Sequence, residues 1–405
     1  MASLMPSAPT DRLDLDLVRK QFPALASGFV FLDNAGGSQT LARVAERISD
    51  YLLHTNVQLG ATYGVSQTST ARVRDAAAAT ARYIGAADAS EVVLGPSTTQ
   101  LIDNLALAME GSLAPGDEIV VTGADHHANV GAWRRLGKRG VVVRTWELDP
   151  RSQRLEEQAL LPLLGKRTRL VAFTHATNLL GSIHDVPRLT RIVHEHGARV
   201  CVDGVAYAPH RAIDVRAWDV DYYVFSFYKV YGPHLAVLYG KREALDGLDT
   251  INHEFIGKEL PYKLQPGNVN FELAHGLGGL YEYVDSLGGK DAAFAAIAAH
   301  EEKLAERLLA WLREQPSVRI HGEPTGDRDK RVPTVSFTVA GKAPEAVVRA
   351  VDPHGIGIRH GDFYAKGLVK ALGLAESGGV IRISMVHYNT EAEIDRVIAA
   401  LREAL

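Results

Sequence analysis

Residues 221–233 read DYYVFSFYKVYGP, an apolar run followed at once by a lysine among aromatic side chains. The run predicts a buried strand, because strands covered on both faces are nearly continuous hydrophobic stretches. Lysine is rarely buried in proteins. Burial at Lys229 would favour the neutral amine, which attacks carbonyl carbons to form Schiff bases. A lysine whose alkyl stem only covers the aromatic rings is the competing interpretation.

Short apolar runs alternate with helical patterns on both sides of this stretch, from residue 90 to residue 241. We predict strands at residues 91–94, 118–122, 141–146, 170–174, 199–202, 222–225 and 235–239, and helices at residues 99–113 and 186–196. Strand then helix, repeated, is typical of a mostly parallel sheet flanked by helices. The predicted fold class is therefore α/β.

The C-terminal part of the chain has a different pattern and predicts a smaller α+β domain. Its predicted helices are residues 291–315, 343–351 and 391–405, and its predicted strands are residues 318–321, 334–339, 357–359 and 380–385. We therefore divide the chain into a large domain (29–274) and a small domain (275–405), joined by the N-terminal segment 1–28. Residues 57–71, rich in Gly, Thr and Ser, are predicted to form a loop near the functional site.

Composition excludes several classes of protein. The 405 residues carry 44 Lys and Arg against 48 Asp and Glu, a net charge of −4, so we expect no nucleic-acid partner. No apolar run approaches the roughly 18 residues of a membrane span, and residues 1–20 contain no apolar signal core. The single cysteine, Cys201, cannot form an internal disulfide. We expect a cytoplasmic protein without a membrane partner.

Polar residues follow the predicted strands, where ligands of open parallel sheets bind. Ser97, Thr98 and Thr99 open a helix, and their hydroxyl and N–H groups suit a phosphate, although an ordinary N-cap is the alternative. His126 stands in a loop with no further ligand at metal spacing, so we expect a ring that stacks on a planar cofactor and no metal. Asp203 ends an apolar strand and needs a cationic partner there, unless it caps a helix.

Together with Lys229, these features match the needs of one cofactor, pyridoxal 5'-phosphate (PLP). The same residues resemble the fold-type I PLP-dependent enzymes of aminotransferase class V, especially the cysteine desulfurase-like and selenocysteine lyase-like branch. The resemblance runs from about Val30 to the C terminus. It rests on FVFLDNAGG (29–37), STT (97–99) with Asn104, DHHAN (125–129), THATNLLG (174–181), VDG (202–204) and SFYKVYGP (226–233).

The resemblance implies roles for individual residues. Lys229 would form the Schiff base and later move protons, Asp203 would face the ring nitrogen, and His126 would stack on the ring; these three are the predicted catalytic residues. The implied cofactor-binding residues are Ser97, Thr98, Thr99, His126, Asn178, Asp203, Ser226, Tyr228, Lys229 and Asn268. The implied substrate-binding residues are Arg382, for the carboxylate, together with Asn34 and Arg359. Asn268 would reach the cofactor of a neighbouring subunit, which implies a homodimer with shared active sites.

The chain also departs from the family at informative positions. The loop 359–365, RHGDFYA, has Tyr364 at about the position of the desulfurases' nucleophilic cysteine. Cys201 lies on a predicted interior strand, where a thiol is normally inert. Ala206 and Tyr228 stand where the family has a glutamine and a histidine.

These observations favour a PLP-dependent carbon–sulfur lyase that acts on a cysteine-like amino acid without a persulfide cysteine. A class V aminotransferase or an amino-acid epimerase is the alternative, and a non-catalytic binding protein on the same fold is a further one. Tyr364, Tyr228 and His127 are candidate general acids. Whether a sulfur acceptor exists stays open.

Overall fold

The computed structural model describes residues 13–405, so most of the residues searched for a signal core, and part of the predicted segment 1–28, lie outside it. Its helices are α1 Leu15–Lys20, α2 Ala42–His54, α3 Gly64–Ile84, α4 Thr98–Met109, α5 Ala128–Arg135, α6 Glu157–Leu160, α7 Val186–Glu195, α8 Arg242–Asp246, α9 Phe271–Ser286, α10 Lys290–Arg313, α11 Pro344–Val351, α12 Lys366–Ala371 and α13 Glu391–Ala404. Its strands are β1 Val30–Phe31, β2 Val92–Gly95, β3 Glu118–Thr122, β4 Val142–Trp146, β5 Thr168–Thr174, β6 Arg199–Asp203, β7 Tyr222–Ser226, β8 Ala236–Gly240, β9 Val318–His321, β10 Thr334–Val339, β11 Ile356–Gly357, β12 Arg359–Gly361 and β13 Val380–Ser384. None of these helices is both long enough and apolar enough to cross a membrane.

A seven-stranded sheet with the order β2-β8-β7-β6-β5-β3-β4 forms the centre of the molecule. Only β8 runs antiparallel to its neighbours, and the other adjacent strands are parallel. The mostly parallel sheet predicted from the sequence is thus confirmed, and its strands lie within two residues of the predicted bounds.

Alternate residues of the central strands pack in two different cores. Val200 and Val202 of β6 belong to one core, whereas Cys201 between them belongs to the other. Successive side chains of a strand point to opposite faces of a sheet. Both faces are covered by helices, which explains why these strands have nearly continuous apolar sequences.

A second sheet, antiparallel with the order β12-β13-β10-β9, packs with α10, α11 and α13 around a further core. The predicted strand 357–359 is instead divided, because β11 pairs with β1 near the N terminus while β12 pairs with β13. The predicted domain boundary at residue 274 falls within the continuous helix α9. The division into two domains stays a prediction.

The prediction of a loop over residues 57–71 is wrong from Gly64 onward, where α3 begins. Serine and threonine usually favour turns because their hydroxyls bond to nearby backbone. Here those bonds are made within the helix: the hydroxyl of Thr70 donates to the carbonyl of Ser66 at 2.7 Å. Ser66 and Ser69 are fully buried. Ser66 and Ser69 therefore lie on the packed face of α3, whereas Thr68 is exposed.

Candidate functional site

One cavity at the carboxyl ends of the central strands gathers nine of the ten predicted cofactor-binding residues. Its empty space, part of which is open to solvent, is about 530 Å³. The predicted residues that line it are Ser97, Thr98, Thr99, His126, Asn178, Asp203, Ser226, Tyr228 and Lys229. Ala206, one of the departures from the family pattern, also lines it.

Asp203 ends β6, Lys229 follows the neighbouring parallel strand β7, and both residues are buried in this cavity. Burial and the positive charge of Arg382 together lower the pKa of the Lys229 amine to about 8, although the negative charges of Asp203 and Asp33 oppose this shift. Burial raises the pKa of Asp203 to about 6, although the N–H of Val205 and the charge of Lys229 favour the carboxylate. The topology thus supplies the cationic partner that Asp203 requires.

The N terminus of α4 forms one end of the cavity. The side chain of Ser97 caps this helix by accepting a hydrogen bond from the Gln100 N–H at 3.2 Å. The hydroxyls of Thr98 and Ser226 lie 2.7 Å apart, and the Ser226 hydroxyl also accepts from the Thr98 N–H at 3.3 Å. The N-cap and the phosphate interpretations are therefore compatible, because the Ser97 side chain binds the Gln100 N–H and leaves the Thr99 N–H beside the hydroxyls of Thr98 and Ser226.

His126 lies at the cavity with its ring uncharged. Burial, together with the positive charges of Lys229, His127 and Arg382, lowers its pKa to about 4. Its Nδ1 accepts a hydrogen bond from the Ala128 N–H at 3.1 Å, which fixes the ring. A neutral, fixed imidazole suits stacking against an aromatic cofactor.

Asp125 is a buried residue to which the sequence assigned no role, although it opens the DHHAN motif. Its carboxylate accepts hydrogen bonds from the Thr122 hydroxyl at 2.6 Å, the Asn129 side chain at 2.6 Å and the Thr174 N–H at 3.1 Å. Burial raises its pKa to about 7, and the neighbouring charge of Asp203 also raises it. Asp125 therefore joins the ends of β3 and β5.

Arg382, Asp33 and Arg359 lie together beyond the residues that line the cavity. Nη2 of the buried Arg382 donates to Oδ1 of Asp33 at 2.7 Å, and its Nη1 donates to the Asn178 carbonyl at 3.1 Å. Nη1 of the exposed Arg359 is 3.7 Å from Oδ2 of Asp33. Asp33 belongs to the N-terminal motif FVFLDNAGG. Its ion pair with Arg382 could not be predicted from the sequence, because the two residues are 349 positions apart.

The loop that follows β12 contacts both the cavity and Arg382. The Phe363 ring lies 3.7 Å from the Arg382 guanidinium, and the Phe363 carbonyl accepts from the Asn178 side chain at 2.9 Å. Phe363 and Tyr364 have φ of +51° and +59°, values that are uncommon for residues with side chains and that recur at functional sites. The Tyr364 ring is 67% exposed and 5.4 Å from the ring of His126.

Two further predicted residues, Asn34 and Asn268, also lie outside the cavity lining. The Asn34 side chain is buried and bonds with Phe31, Ser384, Asn389 and Tyr388, so its amide is fully used within the protein. The arrangement leaves it no free group for a substrate. Asn268 is exposed, and its side chain donates only weakly to Gln58, at 3.4 Å. A contribution to this chain's own cavity is not supported.

The side chains present fit PLP. Lys229 would offer an amine to the PLP aldehyde, Asp203 would offer a carboxylate to the ring nitrogen, and the N terminus of α4 would bind the phosphate. Among residues 13–405, Oδ1 of the buried Asn178 has no hydrogen-bond partner. An unpaired buried amide oxygen is costly, as expected of a group that lines a site for a further molecule.

Comparison with known proteins agrees with the extent of the motifs. The family profile Aminotransferase class-V matches residues 30–397. The chain is 44% identical over 401 residues to the aminotransferase-like protein FGM3 of Gibberella zeae, covering 96% of this chain and 98% of that protein. It is 34% identical to a cysteine desulfurase of Synechococcus elongatus, covering 98% of this chain and 64% of the relative. The crystal structure of the cysteine desulfurase CsdA from Escherichia coli superposes with a TM-score of 0.84 at 30% identity, covering 97% of this chain and 98% of that one.

Proposed function

Because the chain belongs to the class V aminotransferase family, whose fold and PLP dependence it shares, we propose that it cleaves the carbon–sulfur bond of a cysteine-like amino acid without a persulfide cysteine. The chain is a PLP-dependent enzyme of this family. The observation that carries the proposal is that the loop 359–365 presents Tyr364 to the cavity mouth, beside His126, and contains no cysteine.

Cys201 is unsuited to accept sulfur. It is fully buried within β6, and burial raises the pKa of its thiol well above the ordinary value, with Asp203 and Asp125 adding to the shift. The thiolate is the nucleophilic form of cysteine. A persulfide relay through this residue is therefore disfavoured, and the proposed reaction releases sulfur directly.

The overall reaction converts L-cysteine and water into hydrogen sulfide, pyruvate and ammonia. Bound PLP supplies an electron sink for the pair released when the Cα proton leaves. The Lys229 Nζ, with its pKa lowered to about 8, takes that proton, and the Cβ–S bond then breaks with its electron pair going to sulfur. The Tyr364 hydroxyl donates a proton to the leaving sulfur, and the released enamine reacts with water to give pyruvate and ammonia.

Transamination is the second candidate, since the relative FGM3 is described as aminotransferase-like. Epimerisation requires the same removal of the Cα proton. Retention of Lys229, Asp203 and the α4 N terminus argues against a non-catalytic binding protein. Incubating the holoenzyme with L-cysteine distinguishes these functions. We expect sulfide and pyruvate in equal amounts, whereas accumulation of the pyridoxamine form without sulfide would favour transamination.

We also propose that two copies of the chain share their active sites. Asn268 is exposed on the loop that precedes α9, where it is available to a second copy. Leu53 and Phe255 are large apolar side chains that are 74% and 84% exposed. Light scattering of the purified protein should give twice the chain mass. Asn268→Ala should weaken PLP binding in the dimer, and a monomer with full activity would contradict the proposal.

A further inference from the structure

The carboxylate of Asp33 lies between the two guanidinium groups at the substrate end of the site. Its Oδ1 is 2.7 Å from Arg382 Nη2, and its Oδ2 is 3.7 Å from Arg359 Nη1. Asp33 is 29% exposed and Arg359 is 59% exposed, whereas Arg382 is 2% exposed. One acidic group therefore faces one buried and one accessible cation.

The guanidinium of Arg382 is fixed in place and keeps one unused donor. Its Nη1 donates to the Asn178 carbonyl, its Nη2 donates to Asp33, and the ring of Phe363 covers its face. Its Nε is buried and has no partner among residues 13–405. A buried N–H without a partner is costly in free energy, so this atom indicates a place where a ligand's oxygen binds.

The charges of the three side chains sum to +1, from two guanidinium groups and one carboxylate. An incoming α-carboxylate brings −1 and makes this end of the site neutral. A second carboxylate on the same ligand would meet the Asp33 carboxylate without a further cation to balance it. Placing like charges together is one way in which a binding site disfavours the wrong ligand.

We infer that Asp33 is a specificity-determining residue that restricts the site to amino acids with one carboxylate and excludes those with acidic side chains. This inference rests on the proposed binding of the substrate carboxylate by Arg382. Asp33 acts through its charge, by compensating one of the two cations that would otherwise both be free to bind a dicarboxylic ligand.

The test compares propionate with succinate, which is propionate with a second carboxylate in place of one terminal hydrogen. Each is titrated into the PLP-loaded enzyme by calorimetry. The wild type should bind propionate more tightly than succinate. Asp33→Asn should shift the ratio of the two Kd values toward succinate by roughly tenfold, the effect of one screened charge at this range. Asp395→Asn, which removes an exposed carboxylate that binds Arg307, should leave the ratio unchanged.

Arg359→Gln provides an independent measurement at an exposed position, where folding is not at risk. It removes a cation, so the Kd of succinate should rise more than the Kd of propionate. An unchanged ratio in both variants would overturn the inference. An equal loss of affinity for both ligands in Asp33→Asn would also overturn the inference, because Asp33 would then only orient Arg382. Neither ligand reacts, so the result is independent of whether the enzyme cleaves sulfur or transfers the amino group.

Discussion

The backbone carbonyl of Tyr364 accepts a hydrogen bond from the backbone N–H of His127 at 2.8 Å. The two residues are 237 positions apart in the chain. This bond joins the loop after β12 to the start of α5. It brings the phenol of Tyr364 to the ring of His126, at the mouth of the cavity.

Tyr364→Phe should reduce kcat for L-cysteine by roughly 100-fold, the lower end of what a general acid contributes. The substitution keeps the ring beside His126 and removes only the hydroxyl that would protonate the leaving sulfur. Sulfide release under saturating substrate measures the effect. Tyr262→Phe, at another exposed tyrosine, should leave kcat unchanged. A wild-type kcat in Tyr364→Phe would show that another group donates the proton to the leaving sulfur.

Lys229→Ala should abolish both turnover and the absorption band of the cofactor Schiff base. The buried amine is the nucleophile in the proposed chemistry and also the base that takes the Cα proton. Absorption spectra of the purified variant, with and without added PLP, measure the first effect. Lys303→Ala, on the exposed face of α10, serves as the control. Full activity in Lys229→Ala would contradict the proposed mechanism.

The stability of the PLP-free protein should depend on pH through Lys229. The pKa of its amine is about 8 in the folded protein, against 10.5 ordinarily, because of burial. Between these values the unfolded chain binds more protons than the folded one, so the free energy of unfolding rises with pH. Relative to Lys229→Met, the wild type should gain at most about 3 kcal/mol between pH 7.5 and 10.5. Chemical denaturation of both proteins across this range measures the gain, and a constant difference would contradict a buried amine.

Asp125→Ala should destabilise the protein by about 3 kcal/mol. It removes the acceptor of three hydrogen bonds and leaves the side chain of Asn129 and the N–H of Thr174 buried without a partner. The mid-point of urea unfolding measures the loss. Asp395→Ala, at an exposed site, should change stability by less than about 0.5 kcal/mol. Equal effects of the two variants would show that Asp125 does not join β3 to β5.

Much of the central sheet could be predicted because each strand has its own local pattern. The runs at β3 and β7, for example, are apolar on both faces and are followed by polar residues. The start of α3 could not be predicted, also for a local reason. Its first buried residues are Ser66 and Ser69, which give no apolar periodicity, so the composition of residues 57–71 indicated a loop.

The sequence by itself determined which polar residues line the cavity, because parallel strands end at one edge of the sheet and the residues that follow them must meet there. The sequence pattern thereby predicted that Lys229, Asp203 and the N terminus of α4 lie at the same edge of the sheet. Only the tertiary structure decided the substrate end, where Asp33, Arg382 and Phe363 come from three distant parts of the chain. Ion pairs and ring contacts between such segments depend on how the two sheets pack, and no local pattern specifies that packing.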